Sequence, residues 1–387
     1  MNHDSFFSTT KKLGILGGGQ LGKMLLYKAQ QWDIYTKIID PDPNAPCRNS
    51  CSEFVCGSLT DFDTVYHFGQ DCDTITIEIE HVNVDALRKL QSEGKTIHPN
   101  PDALATIQNK GNQKIFYSHH HIPTSDFIIL QSRQHVLESL ERGIISVPFV
   151  QKSLHAGYDG KGVCVVKSTT DIDKLMDTPC LVEGYIEIKT EIAVIVARNQ
   201  AGEVAVYDPV SMDFHEEANL LDLLLYPAPI MTSLADEAKQ YAKQIIEALN
   251  ICGVLAVEFL IDPHDKLYVN ECAPRPHNSG HQTIESTITS QYEQHLRAIL
   301  NLPLGATDIL IPSAMINLLG HPDYQGQVIY QGIEQCLQTP NVHIHLYGKH
   351  ITKPYRKMGH ITVTNQSLEK AKQTAEWARQ QLKVISH

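Results

Sequence analysis

The segment "GVLAVEFLIDPHDKLYVNECAPRPHNSGH", residues 253–281, decides how this chain is read. Two apolar runs flank the turn sequence "DPHD", the pattern of a β-hairpin. With the turn centred between His264 and Asp265, antiparallel pairing sets Glu258 directly opposite Glu271. Like charges so placed destabilise a sheet. A buried pair needs a shared proton or a cation between the two carboxylates. Carboxylate oxygens of this kind suit Mg²⁺, which binds through one or two carboxylates and phosphate oxygens. Asn270 offers a neutral oxygen beside them. On a solvated face the pair would cost only about a few tenths of a kcal/mol, but the flanking residues are almost wholly apolar. After the second strand, two prolines stiffen "APRPHNSGH" and hold Arg275, His277 and Asn278 in a fixed array. One cation and two hydrogen-bonding groups there suit an oxyanion being phosphorylated or transferred. The plainer alternative is a proline-rich loop with incidental polar residues.

Upstream, "LGILGGGQLGKML" (13–25) presents Gly17, Gly19 and Gly22 as G-x-G-x-x-G after an apolar strand. The next strand, "YTKIID", ends in Asp40, where an acid would grip a ribose hydroxyl. Taken alone, this reads as a nicotinamide-dependent oxidoreductase, but that reading leaves the carboxylate hairpin unexplained. Strand and helix signals alternate through the first hundred residues, as in a doubly wound parallel sheet, up to the breaker "HPNPDAL". Residues 103–121 have a helical pattern, and "VPFVQKSL" leads through the glycine-rich "HAGYDGKGV" to "CVVKS", as in a small lid. From "CLVEGYI" onward, alternating strands are covered by helices expected near 233–250 and 284–300, and one terminal helix closes the chain. The expected fold is α/β in three parts: an N-terminal doubly wound parallel sheet (1–105), a lid subdomain (106–185) and a C-terminal antiparallel sheet with helices (186–387).

A chain of 387 residues has room for two or three domains with cores of their own. Its net charge of −12 disfavours nonspecific nucleic-acid binding. Nine scattered cysteines do not make a secreted disulfide framework, and the spacing of Cys47, Cys51 and Cys56 fits no zinc or iron–sulfur pattern. They are expected to be free thiols, and the "HHH" at 119–121 a solvated helix end. No apolar run of about 18 residues is present, so no membrane span is expected. The N-terminus lacks a signal-peptide pattern, which points to the cytoplasm.

Together, "GILGGGQLG", "GYDGKG", "NECAPRPHNSGH" and "RKMGHITV" resemble the N5-carboxyaminoimidazole ribonucleotide synthetases, a family of the ATP-grasp superfamily. The resemblance runs from about residue 12 to 365. It implies the use of ATP and Mg²⁺ to join bicarbonate to 5-aminoimidazole ribonucleotide (AIR) through carboxyphosphate, in purine biosynthesis. By that resemblance Lys110 and Lys152 are phosphate-binding. Glu183, Gly184, Tyr185 and Ile186 form the adenine-binding stretch, Glu191 holds the ribose, and His215 lies near the nucleotide. Glu258 and Glu271 hold Mg²⁺, with Asn270 beside them. Gln20, Leu21, Glu80, Tyr158, Asp159 and Lys161 line the AIR pocket. Lys353, Arg356 and Lys357 hold the AIR 5′-phosphate. Arg275, His277 and Asn278 manage bicarbonate and carboxyphosphate, and Lys353 is counted with them in the catalytic set. A homodimer, and a hand-off of the carbamate to the mutase that uses it, are also implied.

Three positions depart from the family pattern. Lys353 replaces an arginine and loses its bidentate fork. Tyr355 replaces a glycine, so a different loop backbone is expected. Val163 stands where glutamine is usual, which removes a polar contact from the lid. The nearest rival readings are another ATP-grasp ligase and a catalytically dead nucleotide-binding regulator. The intact Lys152, Glu258, Glu271, Arg275 and His277 set speaks against the second.

Overall fold

The computed structural model describes residues 10–155, 162–214 and 220–387. Strands Lys12–Leu16, Tyr35–Asp40, Glu53–Cys56, Thr74–Ile77 and Thr96–Ile97 form a five-stranded parallel sheet, in the spatial order third, second, first, fourth, fifth. Every residue of "TITI" in Thr74–Ile77 is buried, as a strand covered on both faces requires. Helix Gln20–Gln31 lays Met24, Leu25, Leu26 and Ala29 on one face, while Val65, Phe68, Leu87 and Leu90 pack on the other. The chain reverses direction about the first strand, so the glycine turn after Leu16 lies at the sheet's switch point, where open α/β sheets bind ligands.

Strands Phe127–Leu130, Phe149–Ser153, Val163–Val166 and Cys180–Gly184 form a separate antiparallel sheet. In Phe149–Ser153 the burial alternates strictly, with Phe149 in the core of this sheet and Val150 and Lys152 lining a cavity on its other side. Nine of the remaining strands build one large sheet, edged by Leu267–Ala273 and Val342–Leu346, and Ile351–Thr352, Gly326–Gln331 and Lys383–Ser386 form a small three-stranded one. Helix Thr232–Ala248 covers it with Leu234, Ala238, Ala242, Ile245 and Ile246, a helical-period stripe against Ile192, Val194, Leu255 and Val257. Helix Gln20–Gln31 shares a core with Tyr292, Leu296 and Ile299 of helix Gln291–Ile299, which ties the N-terminal sheet to the large one.

The helical stretch expected over 103–121 is two helices, Pro101–Ile107 and Lys110–His119. Asn109 becomes extended between them, and its side chain accepts the Asn112 amide at 3.0 Å, capping the second helix. A short helix, Ile333–Leu337, was not expected. All nine cysteines are free thiols, and His119 and His121 are exposed. Among the described residues no helix is long and apolar enough to cross a membrane.

Tyr355 has φ 59°, the left-handed conformation that glycine adopts without strain. Its amide donates to Gly320 O at 2.8 Å, and Arg356 N donates to Lys353 O at 3.0 Å. The loop therefore takes a glycine-like path, and the expected change of backbone is replaced by strain in the tyrosine. Left-handed geometry costs a non-glycine residue about 1–2 kcal/mol, against about 0.5–1 kcal/mol for glycine's extra chain entropy. Tyr355→Gly is expected to stabilise the chain by about 0.5–1 kcal/mol, read as a higher urea midpoint at unchanged slope. A lower midpoint would mean that contacts of the tyrosine ring outweigh the strain.

Candidate active site

The hairpin places Glu258 opposite Glu271, but by a different route from the one the sequence implied. Near the turn Ile261 pairs with Leu267 and Phe259 with Val269, so the turn is centred on His264. Without interruption Glu258 would then face Asn270. A bulge between Glu258 and Phe259 shifts the register by one residue and brings Glu271 opposite. As a result Asn270 and Glu271, though adjacent, both line the same cavity. Re-aiming a side chain in this way is a recurrent use of bulges beside active sites.

A lattice of lysines meets these carboxylates. Lys110, at the first position of its helix, is ion-paired with Glu271. Lys152 Nζ is 2.9 Å from Asn270 Oδ1 and 2.6 Å from Glu183 Oε2. Glu183 Oε1 also receives Lys114 Nζ at 2.5 Å and the Ser125 hydroxyl at 2.6 Å. The Glu183 side chain thus faces cations, and it is the following residues Gly184, Tyr185 and Ile186 that run on along the cavity. Burial opposes the Glu183 charge, yet Lys152 and Lys114 hold its carboxyl down to about 2. Burial, opposed by Glu183 and reinforced by the neighbouring Lys152 ammonium, pulls Lys114 down to about 8. Lys114 and Ser125 were not foreseen. The signal for Lys114 was its place four residues after Lys110 on one helix face.

Burial and then Glu271 push the Glu258 carboxyl up, whereas Lys110 holds Glu271 down. Two opposed carboxylates, Glu258 partly buried and Glu271 open to the cavity, with asparagine beside them fit a hard divalent cation, which would relieve the repulsion. Among the described residues no three His, Cys, Asp or Glu side chains gather as metal ligands, so such a cation would complete its shell with ligand oxygens and water.

These groups line one end of a cavity of about 340 Å³. The other end is apolar, walled by Val163, Val165, Ile186, Ile188, Met212, Phe214 and Leu260, a slot of the kind that accepts a flat heterocycle. Glu191 lines it between the two ends, and burial, opposed by Lys152 and reinforced by Glu271, lifts its carboxyl to about 7. Val163 contributes only apolar surface.

His277, Asn278 and Lys357 close the polar end. His277 Nε2 is 3.8 Å from Glu258 Oε1, and its Nδ1 is 2.9 Å from Ser279 Oγ. Burial, with Arg275 and Lys357 nearby, keeps this imidazole neutral, down to about 3. Both amide atoms of Asn278 are buried without a hydrogen-bond partner among the described residues. Such a group is costly unless a ligand or water meets it. Arg275 lies outside the cavity lining, and its Nη2 is 2.8 Å from Glu80 Oε1. Glu80, expected to line a substrate pocket, has its carboxylate on Arg275.

The glycine turn is filled from below. A Cβ on Gly17 or Gly19 would lie 2.5 or 2.7 Å from the Glu78 side chain, and Gly22 N donates to Glu78 Oε2 at 3.0 Å. Asp40 accepts Gly18 N at 2.7 Å and Asp42 N at 2.8 Å. A carboxylate thus occupies the cradle where a dinucleotide would place its pyrophosphate, and Asp40 already holds backbone amides. Glu78, which the sequence reading passed over, explains why the glycines are needed without a nicotinamide cofactor. Gln20 and Leu21 open the helix after this turn.

The basic C-terminal cluster divides. Lys357 faces the cavity, Lys353 is exposed, and Arg356 Nη1 donates to Ile351 O at 2.6 Å. Tyr158, Asp159, Lys161 and His215 lie outside the described residues.

Three family models match in succession: the ribonucleotide synthetase preATP-grasp domain over 10–108, the ATP-grasp domain over 115–292, and the phosphoribosylaminoimidazole carboxylase C-terminal domain over 313–374. The solved N5-carboxyaminoimidazole ribonucleotide synthetase of Thermotoga maritima is 38% identical, with a TM-score of 0.90 over 97% of this chain and 100% of that one. This chain belongs to the N5-carboxyaminoimidazole ribonucleotide synthase family. Another member, the Aspergillus clavatus synthase solved with ADP and AIR, is 34% identical with a TM-score of 0.86, covering 95% of this chain and 97% of that one. The phosphoribosylaminoimidazole carboxylase of Candida glabrata is 37% identical over 93% of this chain, but the chain spans only 64% of that protein's length. The synthase family's mixed fold, a parallel N-terminal sheet followed by antiparallel sheets, is the one described above.

Proposed function

We propose that this chain carboxylates AIR with bicarbonate at the expense of ATP, giving N5-carboxyaminoimidazole ribonucleotide, ADP and phosphate in purine biosynthesis. One observation carries the reading: a single cavity has an apolar slot at one end and, at the other, two opposed carboxylates, a lysine lattice and a buried amide with no partner among the described residues. In the reaction a bicarbonate oxygen takes the γ-phosphoryl group and ADP leaves. The C–O bond of carboxyphosphate then breaks to CO₂ and phosphate, and the AIR amine bonds to the carbon and loses a proton. Lys110 and Lys152 would hold phosphate oxygens, with the base in the apolar slot and Glu191 on the ribose. Asn278 and neutral His277 would orient the bicarbonate, with Lys357 screening its charge. Glu258 and Glu271 would hold Mg²⁺ with Asn270 beside them, and the bound ion would neutralise phosphate charge during transfer.

AIR would lie between the glycine turn and Arg275, with Gln20, Leu21 and Glu80 near it. The parts 1–105, 106–185 and 186–387 would serve as substrate platform, lid and catalytic sheet. A cytoplasmic homodimer and a hand-off to a mutase are supported by the family resemblance and by the lability of the carbamate. ADP release measured with AIR and bicarbonate each added or omitted tests the reaction: release that needs AIR, with carbamate formed only with bicarbonate, is expected. Release indifferent to AIR would send the search to another acceptor.

The divided basic cluster separates two outcomes. Lys357→Ala is expected to lower kcat by about a hundredfold, as removal of an oxyanion-stabilising group does. Lys353→Ala should instead raise the KM for AIR by about tenfold, far more than that for ATP. Equal rises in both KM values would remove Lys353 from the substrate phosphate.

A further inference from the structure

Behind the polar end of the cavity lies a column of three imidazoles that none of the steps above uses. His281, at the end of the turn bearing His277 and Asn278, stacks on His360 with ring centroids 4.5 Å apart and planes at 26°. His360 stacks in turn on His345, 4.4 Å away and at 10°, directly opposite it in the strand register. His360 lies on strand Lys357–Thr364, whose first residue faces the cavity. Each ring is also fixed edge-on: His281 Nδ1 is 2.9 Å from the Tyr292 hydroxyl, His360 Nδ1 3.0 Å from that of Tyr347, and His345 Nε2 2.7 Å from Glu285 Oε1. His281 and His360 are essentially inaccessible, and burial keeps both neutral. The turn is rigid on its other side, because Gln291 accepts His277 N at 2.9 Å and donates to His277 O at 2.7 Å.

We propose that this column is a positioning device that sets the spacing between His277 and Asn278 on one side of the site and Lys357 on the other. The proposal rests on the reaction given above. Its three rings touch no substrate. They hold two elements distant in the chain in register so that carboxyphosphate meets the AIR amine before water does, a geometry in which a shift of about 1 Å matters a hundredfold.

The test measures ADP and carbamate in parallel. His360→Leu, which fills the space without stacking, is expected to lower carbamate formation about tenfold and to raise ADP per carbamate severalfold, with the KM for ATP within about twofold. His360→Phe, which restores a stacking ring, should return most of the coupling. Wild-type coupling in a folded His360→Leu protein overturns the proposal, and so does equal uncoupling by Leu and Phe. If His360→Leu does not fold, His345→Leu at the partly exposed end of the column decides by the same ratio. A wild-type protein without AIR-dependent ADP release would instead overturn the reaction, and this inference with it.

Discussion

Glu258→Gln is expected to abolish turnover, by about a thousandfold or more, while leaving the protein as stable as before or more so. Both halves follow from the same geometry. Glu258 is partly buried, faces Glu271 across the hairpin and has Glu191 nearby, so its charge is opposed on three counts. A neutral amide of the same shape relieves that opposition in the empty protein. It also removes half of the carboxylate pair that would hold the cation, so the substrate phosphates lose their counter-charge. Glu271→Gln should lose turnover similarly without the gain in stability, because Lys110 is paired with that carboxylate. Melting curves beside ADP release check the pair of variants. Normal turnover in either one would reject the metal assignment, and a large drop in melting temperature for Glu258→Gln would reject the account of its charge.

Glu183→Ala should be the most destabilising single change in the site. It leaves buried Lys114 and partly buried Lys152 without their shared carboxylate and strips Ser125 of its acceptor. Breaking a buried ion pair from one side typically loses about 3–5 kcal/mol, because the remaining charge is uncompensated. Replacing carboxylate and partner together with apolar residues, as in Glu183→Leu with Lys114→Met, should recover a large part of that loss. Urea titrations followed by intrinsic fluorescence would read the change. A midpoint close to wild type in Glu183→Ala would mean that the lysines relax to solvent, and that the carboxylate does not hold them.

Hydrophobic alternation, helical stripes and turn residues were enough to place several strands, helix Thr232–Ala248 and the parallel-then-antiparallel order of the sheets. These are local properties: a period of two or 3.6 is written in neighbouring residues. The helix expected near 284–300 is instead two, Thr283–Ser286 and Gln291–Ile299, and "GEVAVYDPV" divides between two strands. The glycine fingerprint was equally visible and misleading, since its meaning depends on what lies beneath the turn. That group is Glu78, more than fifty residues away in the chain, and no spacing rule connects the two.

The candidate site divides in the same way. The sequence by itself determined the hairpin that carries the two glutamates and that Arg275, His277 and Asn278 would follow a stiffened exit, but the turn centre it implied was one half-step off. It also brought forward Lys110 and Lys152 as phosphate-binding residues, through the family resemblance. Only the tertiary structure decided that a bulge at Asn270 makes the opposition of the two glutamates possible, that Glu183 turns its carboxylate to Lys114 and Lys152, and that Lys357 rather than Lys353 faces the cavity. The physical reason is range. A strand's alternation follows from its own residues, but where a side chain finds its counter-charge, and whether a bulge re-aims it, depends on which distant elements pack against it.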